Sequence, residues 1–425
     1  MSFPSRIGFD EARAIIERVA AERRLPTERV TLAKAHGRVL AHDLVATIAQ
    51  PGFDNSAMDG FALRYADIAA GIADFALIGE QFAGRSLDLR IGPGECTRIT
   101  TGAPLPAGAD TILIKEHARV EGDRVHALQA PKQGQHVRRS GDDVRVGDAL
   151  LAAGQLLTPS RIALAAAQGM DRIEVTRRPT VAVFTTGDEL VEPGLPLRPG
   201  ELYDSNRELL MGLLRSDGLE PVAWPRLPDA PEAMTSALRH AGHAFDVVIT
   251  CGGVSAGEKD YLPALMQREG AVHFWKVRMK PGMPLLFAES RPDAPADVLA
   301  AGEYPSGSRK PLGEALFLCL PGNPVSVLAT YLTLGRTLLE GLQGRAEPRP
   351  RLRARLHSVW RKTHDRLEFL RGRLFCDDTG QLHVEPNPAD GSHRMRAAAD
   401  SDVLIVLGEG VQTLEPGSVV DVLLY

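Results

Sequence analysis

The chain has few cysteines, no long apolar run and no basic block, and each absence narrows what it does. Its four cysteines, Cys96, Cys251, Cys319 and Cys376, lie far apart and make no C-x-x-C pair. That spacing argues against a disulfide framework or a zinc site. Nothing approaches the ~18 consecutive apolar residues of a membrane-spanning helix. The start M-S-F-P-S-R has no apolar signal-peptide core. Charge is nearly balanced, −5 over 425 residues, without a long run of Lys and Arg, so nucleic acid is not expected as the main partner. No period of solenoid length recurs. The expectation is a cytoplasmic protein with neither membrane nor nucleic acid as partner.

What the chain has in quantity is turn formers, 41 glycines and 30 prolines, a composition suited to β-rich modules. Its length exceeds what one core organises, so roughly three domains are expected. Residues 9–23 place Ile15, Ile16, Val19 and Ala20 on one face of an amphipathic helix. Residues 53–150 read as short strands punctuated by Gly and Pro, a small β domain. A short helix over 160–168 ends at Gly169, the residue type favoured just past a helix end.

Beyond that point the grammar changes. Strands over 181–184, 247–250 and 317–320 alternate with helices over 206–216, 232–241 and 261–267, and a long helix runs from Pro324 to about residue 342. Such alternation predicts a parallel, doubly wound sheet. Residues 341–350 read as a linker, and the last ~75 residues return to hairpin signals. The Pro/Gly/Ala-rich stretch 288–313 reads as a mobile loop on the α/β domain.

The densest chemistry lies in 247–261, V-V-I-T-C-G-G-V-S-A-G-E-K-D-Y. A strand buried on both faces opens into glycines that bare backbone N–H donors, followed by acid and base side chains. T-T-G-D-E (185–189), Y-D-S-N (203–206) and P-G-N-P-V-S (321–326) also follow strands or open helices. Ligands of open α/β sheets sit outside the carboxyl ends of the strands, and helix N-termini favour anions. Taken singly these segments are ordinary caps and turns, with Ser205 or Asn206 as N-cap. Their convergence points to an anionic ligand. Asp188, Glu189 and Asp260 would crowd one edge, and two like charges ~4 Å apart repel by about 4 kcal/mol at an effective dielectric near 20. A divalent cation such as Mg²⁺ relieves that conflict by bridging carboxylates and phosphate. Lys276 and Lys280 supply positive charge nearby. G-V-S-A-G (253–257) also matches the nucleophile elbow of serine hydrolases. The intervening glycines and the lack of an H-G-G-G segment remove the context that elbow needs.

Read together, D-N-S-A-M-D-G (54–60), T-G-A-P-L-P-A-G-A-D (101–110), T-T-G-D-E-L (185–190), Y-D-S-N, C-G-G-V-S-A-G-E-K-D-Y (251–261), K-P-G (280–282) and P-G-N-P-V-S resemble the molybdopterin molybdenumtransferase family, MoeA in bacteria and the gephyrin E domain in animals. The resemblance implies a multidomain α+β protein with a central α/β molybdopterin-binding-like domain (179–345), a small β-rich domain (46–149), a discontinuous linking domain (1–45 plus 150–178) and a C-terminal β barrel (346–425). It implies insertion of molybdenum from molybdate into adenylyl-molybdopterin with release of AMP, assisted by Mg²⁺. The implied assembly is a homodimer whose cleft lies near the partner's small β domain, with transient contacts to the molybdopterin adenylyltransferase and apo-molybdoenzymes.

By position the family's catalytic residues fall on Asp59, Thr101, Glu189, Asp229 and Asp260, and the crowded carboxylates Asp188, Glu189 and Asp260 are the expected metal ligands. Substrate binding falls on Gly252, Gly253, Ser255, Gly257, Asp204, Ser205, Lys276, Lys280, Pro321, Pro324, Ser326, Arg371 and Ser392. The implied mechanism holds the pterin phosphate on the glycine loop and molybdate on the lysines with Ser326 or Arg371. Three departures stand out. Met283 replaces a second lysine, the 288–313 loop is long, and 393–399 lacks serines common in the family. A scaffolding role, as in receptor clustering, is the alternative of another class, and AMP-releasing turnover separates the two.

Overall fold

A computed structural model describes residues 3–228, 230–255, 257, 260–290 and 313–425. Asp229 and most of the expected 288–313 loop lie outside the described residues. The centre is a seven-stranded sheet in the order Ser5–Ile7, Gly270–Val277, Leu286–Ser290, Leu316–Leu320, Val247–Cys251, Val181–Thr185, Val222–Ala223. The last four strands run parallel, with Thr185, Cys251 and Leu320 in register at their carboxyl ends. Every residue of the three long parallel strands is buried. Their unbroken apolar runs are what a sheet covered on both faces requires.

Beyond this parallel core the sheet is mixed. Leu286–Ser290 runs antiparallel to Leu316–Leu320, and Gly270–Val277 antiparallel to Leu286–Ser290. The short connection 278–285 allows an antiparallel return there, where a parallel crossover would need a helix. Ser5–Ile7 pairs with Gly270–Val277, and the helix Phe9–Glu22 buries Ala12, Ile16, Val19 and Ala20 in the core shared with the sheet. The first two dozen residues, expected in the linking domain with the rest of 1–45, thus pair with and pack on the central sheet. A three-residue edge strand carries no periodicity that would announce it.

Helix boundaries follow capping chemistry. The helix Ser205–Ser216 is capped by Asp204, whose carboxylate accepts from the Arg207 N–H, so neither Ser205 nor Asn206 is the cap. The helix Pro231–Ala244 starts at its proline, a favoured first position, and the next runs Leu262–Glu269. The long helix expected after Pro324 is present, but Tyr331–Gly335 is wound as a π-helix between Pro324–Thr330 and Arg336–Leu342. Thr330, Thr333 and Thr337 each donate a hydroxyl hydrogen bond to a carbonyl four residues back, the kind of competition that bends helices.

Two further β units flank this centre. The first is a six-stranded sheet in the order Thr111–Ile114, Gly60–Leu63, Glu95–Ile99, Asp74–Gln81, Arg124–Ala127, Ala118–Glu121, with one short helix, Tyr65–Ala69. The ribbons Thr27–Thr31 with Arg172–Thr176 and Leu44–Val45 with Ala149–Leu151 tie the chain on either side of it together. The second is a closed five-stranded barrel. Leu367–Cys376, Leu382–Pro386, Leu352–Leu356, Val419–Leu424 and Val403–Leu407 pair in turn, and the last returns to the first. Met279–Lys280 from the α/β unit pairs with the start of Leu367–Cys376, joining barrel to centre. Among the described residues no helix is long and apolar enough to cross a membrane.

Candidate functional site

Because Thr185, Cys251 and Leu320 end in register, the loops that follow them leave the sheet side by side. Thr186 N–H donates to Cys251 O and Gly252 N–H to Leu320 O, which stitches the three loop bases together. Gly252 sits at φ +93°, and a Cβ there would lie 2.7 Å from Thr186 Oγ1 and 2.9 Å from Thr186 O. No side chain fits that close approach. In front of these loops lies a cavity of about 1070 Å³.

All four expected loops reach this cavity. Glu189, Asp204, Ser205, Gly252, Gly253, Ser255, Asp260, Pro321, Pro324 and Ser326 line it, as do Lys280 and Ser392. Arg226 braces the T-T-G-D-E loop from behind, donating to the carbonyls of Gly187, Asp188 and Leu190. Asp204 lines the wall but is committed, accepting from Thr185 Oγ1 at 2.6 Å and from Arg207. Asn206 donates to Gly322 O at 2.6 Å, and its buried Oδ1 has no hydrogen-bond partner. Ser392 belongs to the barrel unit and closes the far wall. Its carbonyl accepts from Val325 N–H, and its hydroxyl accepts from Asn323 Nδ2 at 3.0 Å.

Other expected residues stand apart. Gly257 is not in the wall, and its N–H donates to Asp260 Oδ2 at 2.8 Å. Asp188 is exposed and outside the wall. Lys276 lies outside too, with its ammonium 4.0 Å from the centroid of the Trp275 ring, a cation–π contact. Arg371 is 2% exposed and was expected to meet an oxyanion. Its guanidinium instead donates to Ala389 O and Gly391 O, holding the loop that lines the cavity from behind. Burial pushes the Arg371 guanidinium below its ordinary pKa.

Asp59 and Thr101 pair with each other far along the chain, in the six-stranded unit, and neither lines this cavity. Thr101 donates its N–H (2.9 Å) and its hydroxyl (3.0 Å) to Asp59 Oδ1, and Lys115 Nζ lies 3.6 Å from Oδ2. The Thr101 N–H bond first, then its hydroxyl, holds the Asp59 carboxyl below the usual range.

The sequence reading missed Arg366, Asp390 and His393, all in the wall. Arg366 Nη1 donates to Met279 O at 3.4 Å, lies 3.9 Å from Met283 Sδ, and faces no carboxylate among the described residues. It stands two positions before Glu368, the register partner of Lys280, beside the Met279–Leu367 pair. A pairing across more than eighty residues leaves no local signal in a single sequence.

Comparison with known proteins agrees along the whole chain. Residues 7–169 match the model of the MoeA N-terminal region (domain I and II), 182–341 a probable molybdopterin binding domain, and 353–425 the MoeA C-terminal region (domain IV). The molybdopterin molybdenumtransferase of Haemophilus influenzae is 35% identical over 399 residues, 93% of each chain. That of a Nostoc species is also 35% identical, covering 93% of this chain and 88% of its own. The chain belongs to the MoeA family. The MoeA protein of Pyrococcus horikoshii superposes with a TM-score of 0.79 at 25% identity, covering 99% of this chain and all of that one.

The residues singled out above fall in all three matched regions. Asp59 and Thr101 fall in the first, the loops at the strand ends in the second, and Arg366, Asp390 and Ser392 in the third. Among the described residues no three His, Cys, Asp or Glu side chains gather to hold a metal. Glu189 and Asp260 do share the cavity wall. Two carboxylates fit Mg²⁺ when phosphate oxygens and water complete its shell, the usual arrangement for this ion. Asp188 is not positioned to join them.

Proposed function

We propose that this protein inserts molybdenum from molybdate into adenylyl-molybdopterin, releasing AMP. The observation that carries this reading is one cavity that joins a glycine loop at parallel strand ends to Lys280 and, from the barrel side, to Arg366 and Asp390. Its volume of about 1070 Å³ suits a substrate built of a pterin, a pyrophosphate and a nucleoside. The enzymatic relatives of Haemophilus and Nostoc support it.

The glycine loop at Gly252 and Gly253, with Ser255, holds the pterin-side phosphate through backbone and hydroxyl donors. Lys280, Arg366 and Ser326 receive the second oxyanion, molybdate. Glu189 would hold Mg²⁺ together with pyrophosphate oxygens and water, and the ion would neutralise the charge that grows on them. Attack by a water oxygen on the adenylate phosphorus breaks the phosphoanhydride, and AMP leaves with the new oxygen while the other phosphate stays on the pterin. Asp260 has one carboxylate oxygen tied to Gly257 N–H and, among the described residues, no protein partner on the other, which takes the water's proton.

The protein acts as a homodimer in which the exposed Asp59–Thr101 pair of one copy faces the cavity of the other. Passing contacts with the molybdopterin adenylyltransferase and with apo-molybdoenzymes supply substrate and consume product. The compartment is the cytoplasm, in keeping with Cys96, Cys251 and Cys319, which are buried and unpaired. Purified protein given adenylyl-molybdopterin, Mg²⁺ and molybdate should release AMP, and a chelator should suppress the release. Asp260→Ala should lower turnover by about 10²-fold or more, as loss of a general base does. Full AMP release by that variant would remove Asp260 from the mechanism.

A further inference from the structure

Lys280 is placed by backbone pairing before any side chain acts. Lys280 and Glu368 are register partners on adjacent parallel strands, one from the α/β unit and one from the barrel. Side chains at partnered positions stand on the same face of a sheet, so the two meet without a search through rotamers. Lys280 Nζ lies 3.0 Å from Glu368 Oε1 and 3.2 Å from Asp390 Oδ2. One ammonium thus has two carboxylates, and their surroundings differ sharply. The Glu368 side chain is 3% exposed, and that of Asp390 is 55% exposed.

A carboxylate as deep as Glu368 is retained only with partners that compensate its burial. It has Lys280 on one side and, on the other, the His364 imidazole, whose Nε2 is 3.3 Å from the same Oε1. The neighbouring Lys362 ammonium is spent on the carbonyls of His364 and Gly410, so it does not replace Lys280. Asp390 stands on the loop that lines the cavity, where a substrate oxyanion would arrive. A structural ion pair needs one acid. A second, exposed acid on the substrate side occupies the place an anion would take.

We propose that Glu368 is a positioning residue that anchors the Lys280 ammonium at the cavity wall, and that Asp390 is the exchangeable partner an anionic substrate displaces. The proposal rests on the transferase reading only for the identity of that anion. Inorganic pyrophosphate stands in for that oxyanion, and the Lys280-dependent part of its binding, measured by calorimetry on the full chain, tests the proposal without turnover.

Both Glu368→Gln and Asp390→Asn remove one negative charge near Lys280. If charge alone matters, both tighten pyrophosphate binding. Positioning predicts opposite signs. Asp390→Asn should tighten binding several-fold because the competitor is gone. Glu368→Gln should weaken it about tenfold, the size of one charge-assisted hydrogen bond, because the ammonium is left to Asp390 alone. In a Lys280→Met background neither change should have an effect. Tightening in both variants, or equal effects with and without Lys280, overturns the proposal.

Thermal melting guards the comparison. Should Glu368→Gln fail to fold, the cycle of Asp390→Asn with Lys280→Met still decides, and absence of Lys280-dependent tightening is then the negative result. Protein that binds pyrophosphate in this pattern but releases no AMP would sink the transferase reading and leave the positioning role standing.

Discussion

At the scale of single residues the cavity depends on backbone approach as much as on charge. Gly252 holds a φ of +93° with Thr186 Oγ1 where its Cβ would be. Gly252→Ala therefore adds left-handed strain and a clash, with an expected loss of ~1–3 kcal/mol in urea unfolding. AMP release should fall with it, because the loop must move to relieve the contact. A variant with wild-type stability and turnover would show that the loop tolerates a side chain. This residue was legible in the sequence, since two adjacent glycines after an apolar strand have few other uses. Arg366 was not, because nothing near D-R-L-E-F says which wall it faces. Arg371, five residues on, carries the same charge and was the expected contact, yet it braces carbonyls behind the loop.

At the scale of elements, the long helix after Pro324 shows what periodicity conveys and what it omits. Its apolar run announces a buried helix, but not the π segment Tyr331–Gly335. That segment delivers Tyr331 and Arg336 to one carboxylate at the end of a neighbouring helix. Tyr331 donates its hydroxyl to Asp217 Oδ2 at 2.7 Å, and Arg336 Nε lies 2.8 Å from it. Burial alone would raise the Asp217 pKa, but the Arg336 bond and charge, with Tyr331 and Arg349, hold it below the ordinary value. A carboxyl depressed in the folded state adds stability above its unfolded pKa, near 4, and that share is lost as pH falls through the folded value. Asp217→Asn leaves Arg336 buried without its carboxylate. It should cost about 3 kcal/mol near neutral pH, and the gap to wild type should shrink in acid. Equal gaps at both pH values would remove the ionic account. The antiparallel wing of the sheet and the strand Ser5–Ile7 were equally illegible. Ser5–Ile7 is too short to show alternation and pairs with a strand more than 250 residues away, and the direction of the wing rests on register that periodicity does not report.

At the scale of the whole molecule the expected functional set is divided. The cavity holds Glu189 and Asp260, and the Asp59–Thr101 pair stands in another unit without touching it. Motif order along the sequence gave no sign of this separation, because motifs carry no distances. A dimer that joins the two halves across copies makes a plain prediction. Asp59→Ala and Asp260→Ala proteins, each with little AMP release, should regain activity when unfolded and refolded as a mixture, approaching one intact cavity in four by random pairing. No recovery would mean that both residues serve the same cavity or that the copies do not pair this way. The seam between barrel and centre has a further consequence, for engineering and for descent. Because Met279–Lys280 is stitched to Leu367–Glu368, the barrel is no interchangeable cassette. A chimaera that trades barrels between relatives inherits half of a joint, and it must bring the dipeptide at 279–280 along or rebuild its mate.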